Sequence, residues 1–456
     1  MTQSRRVPLR RTAILTLLLA GLLQPQTVAE DFLVSTEHPR LFLGARRLRL
    51  LRRENERQSL RWRQFQALMT GQPQLPEPGF ALALYSQVTG DGAYCRQAVD
   101  WALGPGSDLR QLALVFDWCQ PALPEEKRKP LAVKIERGIS AASDQPGISA
   151  IRDRVLAAVA LGDQAPAASA PQLRRAVESW WRGEIVPGIN HGRDALPRGD
   201  LLAVAEILHA VRDNLGIDLR EPIQEFFRQL PLKLMLGYYP DPYPTPEGEY
   251  HIPAVTGGAQ PDPRRATLSR ASELSLVAYD SNTQENQFLQ GWLTRDPFLL
   301  RGPLGAPYEL LWANPYLPGL SYYHAPLVSH DGIMGTLFVR SSWDEDATWL
   351  GYFGGELQVF TKEGLTIVKQ QPASGPIRLG DTAVVVATGV STLRLQEADL
   401  KHVFLLGLRP GVDYEVRVGD EVASQQTADP GGILAISPEP NQELRIRLRE
   451  RTRPVK

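Results

Sequence analysis

Only two cysteines, Cys95 and Cys119, occur in 456 residues, which excludes a fold held by a disulfide framework. The two can close one bridge in an oxidising compartment. They can equally stand as two buried small hydrophobes, because both lie in apolar helical surroundings, Ala93-Tyr94-Cys95 and Phe116-Asp117-Trp118-Cys119. An excess of charge is missing too, since 50 basic against 51 acidic residues leave a formal net charge of -1. Nucleic-acid binding needs a basic surplus to displace counterions from phosphates, so no nucleic-acid partner is expected. Beyond the N-terminal segment no apolar run approaches the roughly 20 residues of a membrane span. None of the seven histidines falls in a zinc-ligand spacing, and neither a metal nor another cofactor is expected.

What is present begins with an export signal. Arg5, Arg6, Arg10 and Arg11 precede the apolar run Ala13 to Leu23, and Thr27-Val28-Ala29 offers a small-residue cleavage site. Residues 1–29 are therefore read as a signal peptide, and the protein as exported to the periplasm or the medium without stable membrane insertion.

From Ser35 to about Arg301 the chain reads as helix after helix, each punctuated by Gly or Pro. Gly44 to Met69 reads as one long arginine-rich helix. Phe80–Val88, Ala93–Leu103, Leu109–Cys119 and Leu131–Ala142 follow. The clearest stripe is Leu201, Val204, Leu208, Val211 and Leu215, with Asp200 placed as N-cap. Many amphipathic helices joined by short loops suggest antiparallel pairs packed side by side over 30–305, as a toroid, a solenoid or a large bundle; curled round into an incomplete α/α barrel, they would set their inter-helix loops about a cleft.

The pattern changes near Arg301, where Gly302-Pro303, Ala306-Pro307, Asn314-Pro315 and Pro318-Gly319 read as a crossing without continuous helix. Two-residue alternation follows. Strands are expected at Thr336–Arg340, Thr348–Phe353, Leu357–Phe360, Thr366–Lys369, Thr382–Ala387, His402–Leu406, Tyr414–Val418 and Leu444–Leu448, with a turn at Gly419-Asp420. Residues 306–456 are read as an antiparallel β-sandwich domain.

Two polar stretches gather chemistry. Pro187 to Asp194, containing Asn190, His191, Arg193 and Asp194, reads as a glycine-flanked loop and one wall of an active site. Pro246 to His251, with Glu247, Glu249, Tyr250 and His251, reads as the opposite wall. Arg193 and Glu249 are candidate substrate-binding residues, and Trp181 and Tyr239 candidate stacking surfaces for sugar rings. His209 beside an apolar stripe reads as a core histidine, and His38 as a residue that fixes the N-terminal loop.

Three motifs carry a resemblance. Glu37-His38-Pro39-Arg40-Leu41-Phe42-Leu43, Leu114-Val115-Phe116-Asp117-Trp118-Cys119, and Ser341-Ser342-Trp343 followed by Ala347-Thr348-Trp349 resemble segments of heparinase II/III-like polysaccharide lyases. The resemblance implies an (α/α) toroid followed by antiparallel sheets, and β-elimination on a uronic-acid-containing polysaccharide. That reaction removes a proton α to a carboxylate, so the carboxylate must be neutralised, a base supplied and the leaving oxygen protonated. In the family this resembles, an Asn often followed by His holds the carboxyl group, and a Tyr in the next helix-connecting loop transfers the proton. Asn190-His191 and Tyr250, with His251 beside it, fit those places.

One departure is clear. The family's His-x-His-x-x-Asp-like stretch corresponds to Gly354 to Leu365, which contains no histidine. His324 and His330 are the nearest substitutes, and both precede the expected place. Three readings follow: a secreted lyase acting on acidic polysaccharide; a degenerate relative that binds acidic glycans without cutting them; and a glycosidase using paired carboxylates, Asp194 or Asp200 with Glu247 or Glu249.

Overall fold

The stripe from Leu201 to Leu215 is helix over that span, ended by Gly216 in the left-handed conformation at φ 70°. The computed structural model describes residues 32–71, 74–142, 145–245, 248–258, 260–294, 301–368, 375–395, 399–418, 423–438 and 444–450. The expected signal peptide, Glu247 and the Gly419-Asp420 turn lie outside the described residues. In chain order the helices are α1 (Ala45–Glu56), α2 (Leu60–Thr70), α3 (Pro78–Thr89), α4 (Gly92–Leu103), α5 (Leu109–Cys119), α6 (Glu125–Ala141), α7 (Ile148–Leu161), α8 (Pro166–Arg174), α9 (Val186–Asn190), α10 (Leu201–Leu215), α11 (Gln224–Leu236), α12 (Pro263–Tyr279), α13 (Gln284–Leu293) and α14 (Gly305–Trp312). A π-helical stretch, Arg175–Ile185, joins α8 to α9 without a break.

The long arginine-rich helix expected at 44–69 is two helices. Gln58 at φ 49° breaks it, and the Ser59 hydroxyl caps α2 by accepting the Trp62 N–H at 3.3 Å. Neighbour contacts among the helices run from α3 to α5, α7, α10, α12 and α14 and return to α3. Of the other helices, α4 packs on α3, α6 on α5, α8 on α7, and α13 on α12. The helical part extends past 305, because α14 packs on α2 and α12. Pro307 is tolerated there in the first turn, where a missing N–H breaks no ladder. The architecture changes after Trp312.

The two family-like segments near the N-terminus meet each other. Asp117 in α5 accepts the N–H groups of Arg40 and Leu41 at 3.0 and 2.8 Å, and lies 2.6 Å from Nδ1 of His38. His38 thus does fix the N-terminal loop. Cys95 and Cys119 form a disulfide between α4 and α5.

A small hairpin, β1 (Tyr243–Thr245) with β2 (Gly248–Tyr250), interrupts the helices. After α14 come β3 (Val328–Asp331), β4 (Thr336–Arg340), β5 (Trp349–Phe353), β6 (Glu356–Thr361), β7 (Gly364–Val368), β8 (Ile377–Leu379), β9 (Thr382–Val386), β10 (Thr392–Leu395), β11 (His402–Leu406), β12 (Asp413–Val418), β13 (Ser424–Thr427), β14 (Leu434–Ile436) and β15 (Leu444–Glu450). They form a meander β3-β4-β5-β6-β7, a sheet β14-β11-β9-β8 and a sheet β10-β15-β12-β13.

These sheets stack in three layers rather than the two of a simple sandwich. Phe338 and Trp349 turn one face of the meander onto the helices, while Leu337, Val339 and Leu350 meet Val384, Val386, Phe404 and Leu406 of the middle sheet. The other face of that sheet, Ala383, Val385, Val403 and Leu405, meets Val416, Ile446 and Leu448. Burial on both faces explains why β9 and β11 are apolar almost throughout. One pairing departs from the antiparallel expectation: β9 and β11 run parallel, Thr382 opposite His402. Their connection passes through β10 in the outer sheet, and such a crossover brings the chain back in the same direction.

Candidate functional site

The loop expected from Pro187 to Asp194 needs one correction before its chemistry. Helix continues through Asn190, with Pro187 in the first turn of α9, and the loop starts at His191. Asn190, His191, Arg193 and Asp194 are all exposed. The His191 ring donates from Nδ1 to the Pro187 carbonyl at 2.6 Å, which leaves Nε2 as the acceptor. Gly192, at φ 74°, presses on the β3–β4 turn: a Cβ there would lie 2.3 Å from the Ile333 carbonyl oxygen.

Beside this loop opens a groove of about 520 Å³ between the start of α7, the π-helical stretch and residues 193–195. Its cations are Arg154, Arg175 and Arg193, and its carboxylates Glu184 and Asp194. Arg154 is buried and donates to the carbonyls of Ala142 and Gln145, so it contributes positive potential from the wall. Arg175 and Arg193 are exposed and make no ion pair among the described residues. Trp180 lines the same wall, largely buried.

The opposite wall does not assemble as expected. Tyr250 is 1% exposed and packs with Ile252 and Ala266, opposite Tyr243 in the β1–β2 hairpin. Burial first, then Tyr243 and Asp262, push its phenol above the ordinary tyrosine value. His251 is buried edge-on to Trp292 at 5.1 Å. Glu249 is exposed opposite Pro244, on the hairpin. The segment after the hairpin touches the β5–β6 turn, where Gly257 N–H donates to Glu356 at 2.6 Å. The Gly192 loop touches the β3–β4 turn at the same end of the meander, roughly 10 Å away at a strand spacing of about 4.8 Å. Two segments thus approach one end of the sheet domain, but the phenol and imidazole of the second are turned into packed side chains.

Neither stacking candidate presents a ring. Trp181 is fully buried, stacked on Phe227, with Nε1 donating to the Leu219 carbonyl at 2.6 Å. Tyr239 is buried against Trp349 and Phe360, its hydroxyl 2.8 Å from Gln358. Both are structural. His209 is buried and bonds through Nε2 to the Ser275 carbonyl at 3.0 Å, a core histidine.

No family model matches the chain. The heparinase II/III-like resemblance carried by the motifs therefore has no support from that comparison, and no curated protein matches either. Among solved structures, a chain described as a glycoside hydrolase aligns over 82% of this chain and 71% of its own, at 10% identity and a TM-score of 0.29. At that score the likeness says nothing about activity.

One charged cluster escaped the sequence reading. Between the helices, Arg110 of α5 binds Glu206 of α10 at 2.6 Å and Glu77 before α3 at 3.2 Å, and the Tyr308 hydroxyl donates to Glu77 at 2.7 Å. Arg152 of α7 joins Glu206 at 3.3 Å and Asp153 at 2.7 Å. Burial pushes the Asp153 carboxyl above the usual carboxylate range, against the pull of Arg152 and with a further push from Asp108. Asp200 is raised by burial as well. A signal was available: Glu206 is a single acid in the otherwise apolar run of α10, and an unpaired buried charge there would be prohibitively costly. Among the described residues no group of three or more His, Cys, Asp or Glu side chains could hold a metal ion.

Proposed function

We propose that the protein is an exported acidic-glycan-binding protein of (α/α) toroid architecture, with the groove beside Arg193 as its binding surface. The observation that carries this is the convergence of guanidinium groups from three segments, α7, the π-helical stretch and the 191–195 loop, on one open groove. Guanidinium matches carboxylate geometry with two parallel hydrogen bonds, and among the described residues Arg175 and Arg193 have no internal carboxylate to satisfy them. The closed run of contacts from α3 through α14 supports the toroid reading. The N-terminal segment and the disulfide support export.

Binding is favoured over β-elimination because the phenol that would move the proton is buried and the 354–365 run supplies no imidazole. Hydrolysis is the second reading, favoured by one observation: Asp153, part-exposed beside Arg152, holds its proton more tightly than an ordinary aspartate, as a general acid must.

Calorimetric titration with oligogalacturonate, alginate, chondroitin and heparan fragments tests the proposal. At least one should bind, more weakly as salt rises, and the Arg175→Ala/Arg193→Ala variant should lose about tenfold or more in affinity. Uronate binding that is absent, or indifferent to both arginines, overturns the reading. Ultraviolet absorbance from an unsaturated product would restore the lyase, and reducing ends without that absorbance would favour hydrolysis with Asp153→Asn inactive.

A further inference from the structure

A second groove, of about 410 Å³, runs between α11 and α13 on one side and the 324–330 segment entering β3 on the other. That volume lies within the roughly 300–1,000 Å³ of small-ligand clefts. Leu232, Met235 and Phe288 supply its apolar part, and Gln229, Gln284 and Glu285 its hydrogen-bonding groups.

His330 also lines it, and its imidazole is firmly oriented. Its Nε2 lies 2.9 Å from Asp429 Oδ2, while Asp429 Oδ1 accepts the N–H groups of Gly431 and Ile433 at 2.9 and 2.8 Å. With the carboxylate fixed by backbone and Nε2 donating to it, Nδ1 remains as a hydrogen-bond acceptor.

One residue before His324, another lining group, stands an aromatic platform. Tyr323 is 54% exposed and stacks on Tyr322 with centroids 4.6 Å apart. Tyr322 is itself held edge-on by Trp292 at 5.3 Å and Trp343 at 5.8 Å. An exposed ring already immobilised by its neighbours loses little freedom when a flat ligand covers it. The groove's charges are internally matched, since Arg228 binds Glu225 at 2.6 Å and reaches Glu285 at 4.0 Å. Unlike Arg175 and Arg193, this guanidinium is not waiting for an anion.

We propose that this groove is a second carbohydrate site, specific for uncharged saccharide units. The apolar C–H face of a sugar ring covers Tyr323, and its hydroxyls bond to the amides, to Glu285 and to Nδ1 of His330. The site shares no residue with the acidic-glycan groove, so either proposal can fail alone.

The test is calorimetric titration of the full chain with cellohexaose, mannohexaose and xylohexaose, with trigalacturonate as the charged comparison. At least one neutral hexasaccharide should bind. Tyr323→Ala should raise its Kd about tenfold, as the loss of one stacked ring implies, and His330→Gln should weaken it too. Arg175→Ala/Arg193→Ala should leave it unchanged. Tyr323 is exposed, so its variant keeps the fold, and circular dichroism verifies this. The proposal is overturned if none of the three binds, if Tyr323→Ala leaves every Kd unchanged, or if Tyr323→Ala abolishes binding of trigalacturonate instead.

Discussion

Gly192 fixes where the arginine-bearing loop sits. Its left-handed backbone is open to few other residues, and any side chain would drive into the Ile333 carbonyl. Gly192→Ala should therefore cost roughly 1–3 kcal/mol in urea denaturation, combining the φ penalty with the steric contact; an unchanged midpoint would mean that the loop does not dock on the sheet domain. His209 carries a different signature. Burial, aided by Arg47, holds its imidazole well below the ordinary histidine value. Below about pH 6.5 the unfolded chain binds a proton that the folded chain refuses, so stability is full above that pH and falls as pH falls. Stability measured between pH 7.5 and 5 should decline less steeply in His209→Gln, and parallel slopes would remove His209 from the acid response. Among single residues, His38 and His209 were legible because a histidine beside an apolar stripe or a turn has few options. Trp181 and Tyr250 were not, because an aromatic near a helix end or in a hairpin gives no sign of which way its ring turns. Arg110 was hidden for another reason: its partner Glu206 lies 96 residues away.

At the scale of elements, periodicity located half of the helices named above and eight of the strands, and missed what local pattern cannot encode. The break at Gln58 needed a left-handed residue that is not glycine. Short strands such as β8 and β14, three residues each, fall below any two-residue signal. The parallel pairing of β9 with β11 depends on the route of the chain between them, whereas their double burial is visible in the runs Thr382-Ala383-Val384-Val385-Val386 and Val403-Phe404-Leu405-Leu406. The cysteines left two readings open, and the α4–α5 contact chose the bridge. It closes a loop with a sequence separation of 24. The Cys95→Ala/Cys119→Ala variant should lose about 3.5 kcal/mol, the loop-entropy value; a loss near zero in calorimetry would mean that the helix pair is already ordered in the unfolded ensemble.

For the whole molecule, the decisive feature is that the helical part and the meander share one core. Phe338, Trp343 and Trp349 belong to the same buried cluster as the helices, and Trp349 Nε1 donates to the Leu236 carbonyl at 2.7 Å. Gln358 reaches Val255 at 2.8 Å, and Lys233 reaches Asp331 at 3.2 Å. A sequence divided at its change of periodicity suggests two separable domains, yet the face that the meander turns to the helices is too apolar to stand in water. Both grooves depend on this junction, one through the Gly192 contact and the other through its own walls. Scanning calorimetry of the full chain should therefore give one coupled transition. Trp349→Ala, which leaves a large cavity at the junction, should lower stability by about 3–5 kcal/mol and split that transition in two. A wild-type protein that already melts in two independent steps, or a Trp349→Ala variant that still melts in one at an unchanged temperature, would show that the shared core does not couple the layers.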